Sequence, residues 1–103
     1  MAKTFSYNAL KELINKEQFY HILSHYKFRL YAVDSYNGIL SKNVGVDSFD
    51  FDKDYAVVKD YKQRLMYIGR LDTMNFNACG VISILRPYMS KDTEANLYLL
   101  SEL

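Results

Sequence analysis

At Lys27 the hydrophobic pattern of this chain changes from helical spacing to strand spacing, and no all-α or all-β fold accommodates both halves. Before that point Leu10, Leu13 and Ile14 form one stripe, and Phe19, Ile22, Leu23 and Tyr26 form a second. The step from Ile14 to Phe19 breaks the phase, so the first 26 residues read as two helices. Asn15 sits at the break with Gln18 three residues on, a variant capping box in which each side chain satisfies a free backbone donor at a new helix start. Ser6 is the expected cap of the first helix.

After Lys27, Phe28, Leu30 and Ala32 alternate with Arg29, Tyr31 and Val33. Asn37-Gly38 then supplies the positive-φ pair of a type I′ turn, which predicts a hairpin of Phe28 to Tyr36 with Ile39 to Val46. Asp47 to Asp54 is an acidic connector. Tyr55 to Lys59 and Arg64 to Leu71 form a second expected hairpin through Asp60 to Gln63, and Val81 to Leu85, apolar on both faces, reads as a central strand ended by Arg86-Pro87. Asp92 to Leu103 suits a last helix capped by Asp92, with Glu94 in its first turn and Leu99 and Leu103 facing inward. The expected fold is therefore α+β: two N-terminal helices, an antiparallel sheet of four to five strands and a C-terminal helix, in a single compact domain over residues 1–103.

Composition narrows function mainly by exclusion. Thirteen Lys and Arg against twelve Asp and Glu leave no strong overall field for a polyanion or an acidic membrane, so electrostatic recognition must be local. The single cysteine, Cys79, makes neither an internal disulfide nor a multi-cysteine zinc site, which fits a reducing compartment. Met1 to Ile14 is amphipathic rather than a secretory signal, and Ala78 to Leu85 is far shorter than the ~18 apolar residues of a membrane span. These features predict a soluble, cytoplasmic protein without a membrane partner. Abundant Lys, Asn, Tyr and Ile match the composition of AT-rich microbial or phage genomes.

Four groups of residues carry chemistry in principle. His21 and His25 lie one helical turn apart, but Ile22 replaces the Glu of a zinc-protease helix and no third ligand follows, so they read as helix-surface histidines. Cys79 paired with a histidine would be a nucleophile, yet its Asn-Ala-Cys-Gly setting reads more simply as a small buried thiol. Asp47, Asp50, Asp52 and Asp54 form an acidic ridge: in an extended backbone the last three carboxylates share one face while Phe51 points the other way. Tyr55 and Tyr61 occupy the positions where a calcium loop beginning at Asp50 needs Gly and Glu, which excludes an EF-hand. The fourth group interleaves basic and aromatic residues. By strand parity Lys62, Arg64 and Arg70 share a face with Met66 and Ile68, while Tyr61, Leu65, Tyr67 and Leu71 take the core side, leaving only Lys27, Arg29 and Tyr31 aligned as a stacking platform.

No acid, base, nucleophile or glycine-rich cofactor loop stands out, so neither an enzyme nor a cofactor is expected. Ten tyrosines and six phenylalanines in a motif-poor chain suit function by contact. The sequence reading is a small non-enzymatic binding protein that inhibits or modulates a macromolecular partner, as phage or mobile-element proteins do to host nucleic-acid-processing or defence complexes, with the acidic ridge docking in the partner's basic groove. Two alternatives remain. One is an RNA- or DNA-binding module using Lys27, Arg29, Tyr31, Lys62, Arg64 and Arg70; the other is a homo-oligomeric structural subunit joined through Met66 and Ile68.

Overall fold

The computed structural model describes residues 3–34 and 38–102. Among these residues it is an α+β fold of two antiparallel sheets and four α-helices. The larger sheet runs β3 (Gly38–Asn43), β2 (Phe28–Asp34), β4 (Tyr55–Tyr61), β5 (Arg64–Arg70) in spatial order. The smaller is a ribbon of β1 (Thr4–Ser6) and β6 (Asn75–Asn77) in which Phe5 opposes Phe76, both buried. Residues 4–6 thus extend into a strand instead of opening a helix. Ser6 then caps the single turn of α1 (Tyr7–Leu10), its hydroxyl accepting from the Ala9 amide.

The phase break is a helix boundary. Asn15 caps α2 (Lys16–His25) through a complete capping box: its Oδ1 accepts from the Gln18 amide at 2.8 Å and the Gln18 Oε1 accepts from the Asn15 amide at 2.9 Å. Asn15→Ala is expected to cost about 1 kcal/mol in a urea titration. A gain in stability would contradict the cap.

Residues 78–85 correct the sequence reading most. They form helix α3 (Ala78–Leu85), capped by Asn77, whose Oδ1 accepts from the Gly80 amide. Ala78, Val81, Ile82 and Leu85 are its buried residues, at the i, i+3, i+4, i+7 spacing of one helical face. Their burial against the core outweighs the modest strand preference of the β-branched side chains. Gly80 leaves room for the Tyr26 side chain, since a Cβ there would lie 2.5 Å from the Tyr26 hydroxyl.

The last helix, α4 (Lys91–Ser101), starts two residues earlier than expected: Ser90, not Asp92, is the cap, its hydroxyl accepting from the Thr93 amide. Leu97 is the fully buried residue, whereas Leu99 is 62% exposed rather than inward-facing. Leu103 lies outside the described residues, as does Asn37 of the expected first turn; Gly38 itself begins β3, paired with Asp34.

Phe19 is the hub of the core, with ring centroids of Tyr7, Tyr20, Phe49, Phe51 and Phe76 within 6.4 Å. On the helix side of the sheet, Leu30, Tyr55 and Val57 join this cluster. The opposite face carries a smaller apolar group of Tyr31, Ala56 and Val58, flanked by Val33.

Three tyrosines fix the connector between β3 and β4. The Tyr7 hydroxyl donates to the Phe51 carbonyl at 3.0 Å, the Tyr20 hydroxyl donates to the Val44 carbonyl at 2.8 Å, and the Tyr55 hydroxyl accepts from the Asp50 amide at 3.1 Å. Burial pushes the Tyr20 hydroxyl up to about 12 and raises Tyr7 as well, the latter with smaller contributions from Tyr55 and the neighbouring aspartates. Much of the tyrosine content is therefore structural.

Candidate interaction surface

The acidic segment is folded, not extended. After a 3-10 turn at Val46–Ser48, Asp50 makes an Asx turn, its Oδ1 accepting from the Asp52 amide at 2.9 Å, and the Lys53 amide donates to the Asp50 carbonyl. Asp54 is held by Arg70, whose guanidinium donates to its Oδ2 and is itself raised in pKa by that hydrogen bond. The alternation that would line up Asp50, Asp52 and Asp54 is therefore lost, and Asp47 and Asp52 are the two exposed carboxylates of the set. Phe51 packs against Tyr7 and Phe49, as an aromatic anchor would.

The expected platform of Lys27, Arg29 and Tyr31 is also altered. Lys27 has φ 60° at the junction of α2 and β2. Arg29 is paired with Asp60 at 2.8 Å, and Tyr31 is buried, so its ring is closed to stacking. His21 stacks on Tyr88 with ring centroids 3.9 Å apart, along an open groove of about 570 Å³ that His25 and Ser83 also line. Cys79 is exposed in the first turn of α3 rather than buried. Among the described residues no three His, Cys, Asp or Glu side chains gather at a metal-ion site, and no helix is long and apolar enough to cross a membrane.

Among the described residues the β4–β5 hairpin carries the longest run of exposed large apolar side chains, with Tyr88, Tyr98 and Leu99 exposed elsewhere. Its turn is Lys62-Gln63, both at positive φ (49° and 67°), the type I′ geometry that asparagine and glycine favour. Gln63→Gly is expected to stabilise the protein by about 1 kcal/mol, because an L-residue in this region carries a steric penalty that glycine lacks. Loss of stability on that substitution in urea would contradict the turn assignment.

A two-residue turn places Tyr61 opposite Arg64, on the same face, although their numbers differ in parity. Continuous counting across the turn therefore misassigned the faces. Lys59, Tyr61, Arg64 and Met66 lie on the helix-side face, beyond the reach of the helices. Leu65 and Tyr67 lie on the outer face, opposite Asp60 and Val58. Ile68 has no partner on β4, because Gly69 pairs with Val57 and Tyr67 with Val58; this bulge shifts the phase and brings Arg70 to the outer face opposite Ala56.

Leu65, Met66, Tyr67 and Ile68 are 51, 54, 53 and 41% exposed. Leu65 and Tyr67 were the expected core side of this strand; they are open because β5 lies at the sheet edge and is paired only with β4. A side chain on a strand is buried only where a second layer lies over it, and here neither face has one.

Charge divides the two faces. On the outer face, Arg29 and Arg70 are each neutralised by a carboxylate, Asp60 and Asp54. On the helix-side face and at the turn, Lys59, Lys62 and Arg64 make no ion pair among the described residues, and the Lys62 ammonium lies over the Tyr61 ring, 5.4 Å from its centroid. The hairpin thus carries uncompensated positive charge on its helix-side face and balanced charge on its outer face, exposes apolar side chains on both, and among the described residues has no strand paired to its β5 edge. No protein-family model, curated protein or solved structure matches this chain.

Proposed function

We propose that this chain is a small non-enzymatic binding protein that modulates a macromolecular partner by contact through the β4–β5 hairpin. The supporting observation is the run of four large, exposed apolar side chains, Leu65 to Ile68, on an edge strand uncovered on both faces. Soluble proteins usually blunt such edges, and contiguous exposed apolar area rimmed by charge is characteristic of interaction sites. Tyr, Met and Arg are the residue types enriched at the centres of protein interfaces, and Tyr61, Arg64, Met66 and Tyr67 supply them here. The acidic connector is the weaker candidate, because Asp50 and Asp54 are engaged within the fold. Of the broader sequence reading, an inhibitor carried by a phage or mobile element acting on a host complex, composition is the support.

Affinity capture from native lysate, with and without nuclease, tests the proposal. A protein partner is expected to survive nuclease treatment and to be lost when Leu65 and Tyr67 are changed to Ser. Capture that vanishes with nuclease, or that the double variant retains, would overturn it.

A further inference from the structure

We infer that the occupant of the β5 edge is an extended, acidic segment of another protein in which carboxylates alternate with apolar residues, added to the sheet as a fifth strand. This rests on the hairpin being the binding surface and specifies the chemistry of what it binds. In a two-residue hairpin the residues flanking the turn exchange both backbone hydrogen bonds, so Arg64 and Met66 turn their backbone groups toward β4. Leu65 and Tyr67 therefore direct their N–H and C=O groups outward, where the sheet offers them no partner. A strand added there satisfies those groups in the manner of β-augmentation.

Because cross-strand neighbours share a face, the side chains of the added strand sort by the two faces of β5. Residues beside Arg64 and Met66 lie next to Arg64 on the face that also carries Lys59, one strand further in, with Lys62 at the turn, cations with no ion pair among the described residues, which favours Asp or Glu. Residues beside Leu65 and Tyr67 continue the apolar outer face of Val58 and Tyr31. Such an alternation of acidic and apolar residues is a strand pattern.

Two other occupants fit less well. A second copy joined antiparallel, edge to edge, would set the cationic helix-side faces of the two hairpins side by side and would have to pair across the bulge at Ile68. A single-stranded nucleic acid would find one exposed aromatic on the cationic face, Tyr61, with Lys62 already over its ring, while the cations of the other face are neutralised.

The test is selection of a displayed random seven-residue peptide library on the whole chain, followed by amide exchange of the protein with an enriched peptide bound. Enrichment of peptides that alternate Asp or Glu with apolar residues is expected, with at least about tenfold slower exchange of the Leu65 and Tyr67 amides. Binding should weaken at least about tenfold in the Lys62→Glu/Arg64→Glu variant, or in Arg64→Gln should the double variant fail to fold. Enriched peptides that protect Leu65 and Tyr67 but are neutral or basic would overturn the acidic-strand inference and leave the hairpin as the binding surface. Protection of the same amides by raising protein concentration alone would assign the edge to a second copy. Tighter binding of an oligothymidylate, protecting the hairpin, would assign it to nucleic acid. Peptides that leave the hairpin unprotected, or no enrichment, would overturn the inference, and the capture experiment judges the hairpin separately.

Discussion

Phe19→Ala is expected to destabilise the protein by about 3–5 kcal/mol, the range for truncating a large buried aromatic. Phe19 is 1% exposed and its ring meets five other aromatic rings from α1, α2, the connector and β6. Its removal leaves a cavity that rigid neighbours cannot close, and the connector loses the surface on which Phe49 and Phe51 rest. Domains of this size have roughly 5–15 kcal/mol of stability in total, so the variant should melt well over 10 °C below the parent. Leu99→Ala is the control, since that side chain lies outside the core, and should stay within about 0.5 kcal/mol. Thermal and urea unfolding followed by circular dichroism measure both. Comparable losses would contradict the placement of the core.

The second large effect is on binding rather than folding. Leu65→Ser/Tyr67→Ser removes two half-exposed side chains that contact no second layer, so each should change stability by no more than about 0.5 kcal/mol. If these residues form the centre of the interface, each loss should cost about 2 kcal/mol of binding, which together weakens association on the order of a thousandfold. Asp52→Lys, on the exposed part of the acidic connector, should leave binding within a few-fold of wild type. Titration of the captured partner with each purified variant, after unfolding curves confirm the fold, separates the two surfaces. Equal binding by the Leu65/Tyr67 variant would remove the hairpin from the interface.

Local signals carried much of this fold. The phase break at Asn15, with Gln18 three residues on, marks a helix start because capping is satisfied by nearby residues alone. The hairpin of β4 and β5 was similarly legible, as alternation on either side of a short polar turn. Residues 78–85 were misread because Val81, Ile82 and Ile84 favour strands; the cap at Asn77 and the spacing of Ala78, Val81, Ile82 and Leu85 were the signals that favoured a helix.

The candidate site was less legible for a physical reason. Alternation shows that a strand has two kinds of face, but not whether a layer covers either of them. Leu65 and Tyr67 look like core residues by pattern and are surface residues by position, since no later element packs over β5. Two backbone features also changed which side chains share a face: the positive-φ pair at Lys62-Gln63 and the bulge at Ile68. The extended geometry expected of the acidic segment is replaced through one local and one non-local contact, the Asx turn at Asp50 and the engagement of Asp54 by Arg70 from the neighbouring strand.

Site-resolved photocross-linking in living cells tests the central claim most directly. A photoreactive phenylalanine analogue placed singly at Tyr67, Asp52, Tyr88 and Leu99 samples the hairpin, the acidic connector, the histidine groove and the exposed face of α4, all at exposed positions. The account predicts a discrete cross-linked species from position 67 that disappears when Leu65 is also changed to Ser. Cross-links from position 52 or 88, with position 67 blank, would contradict it.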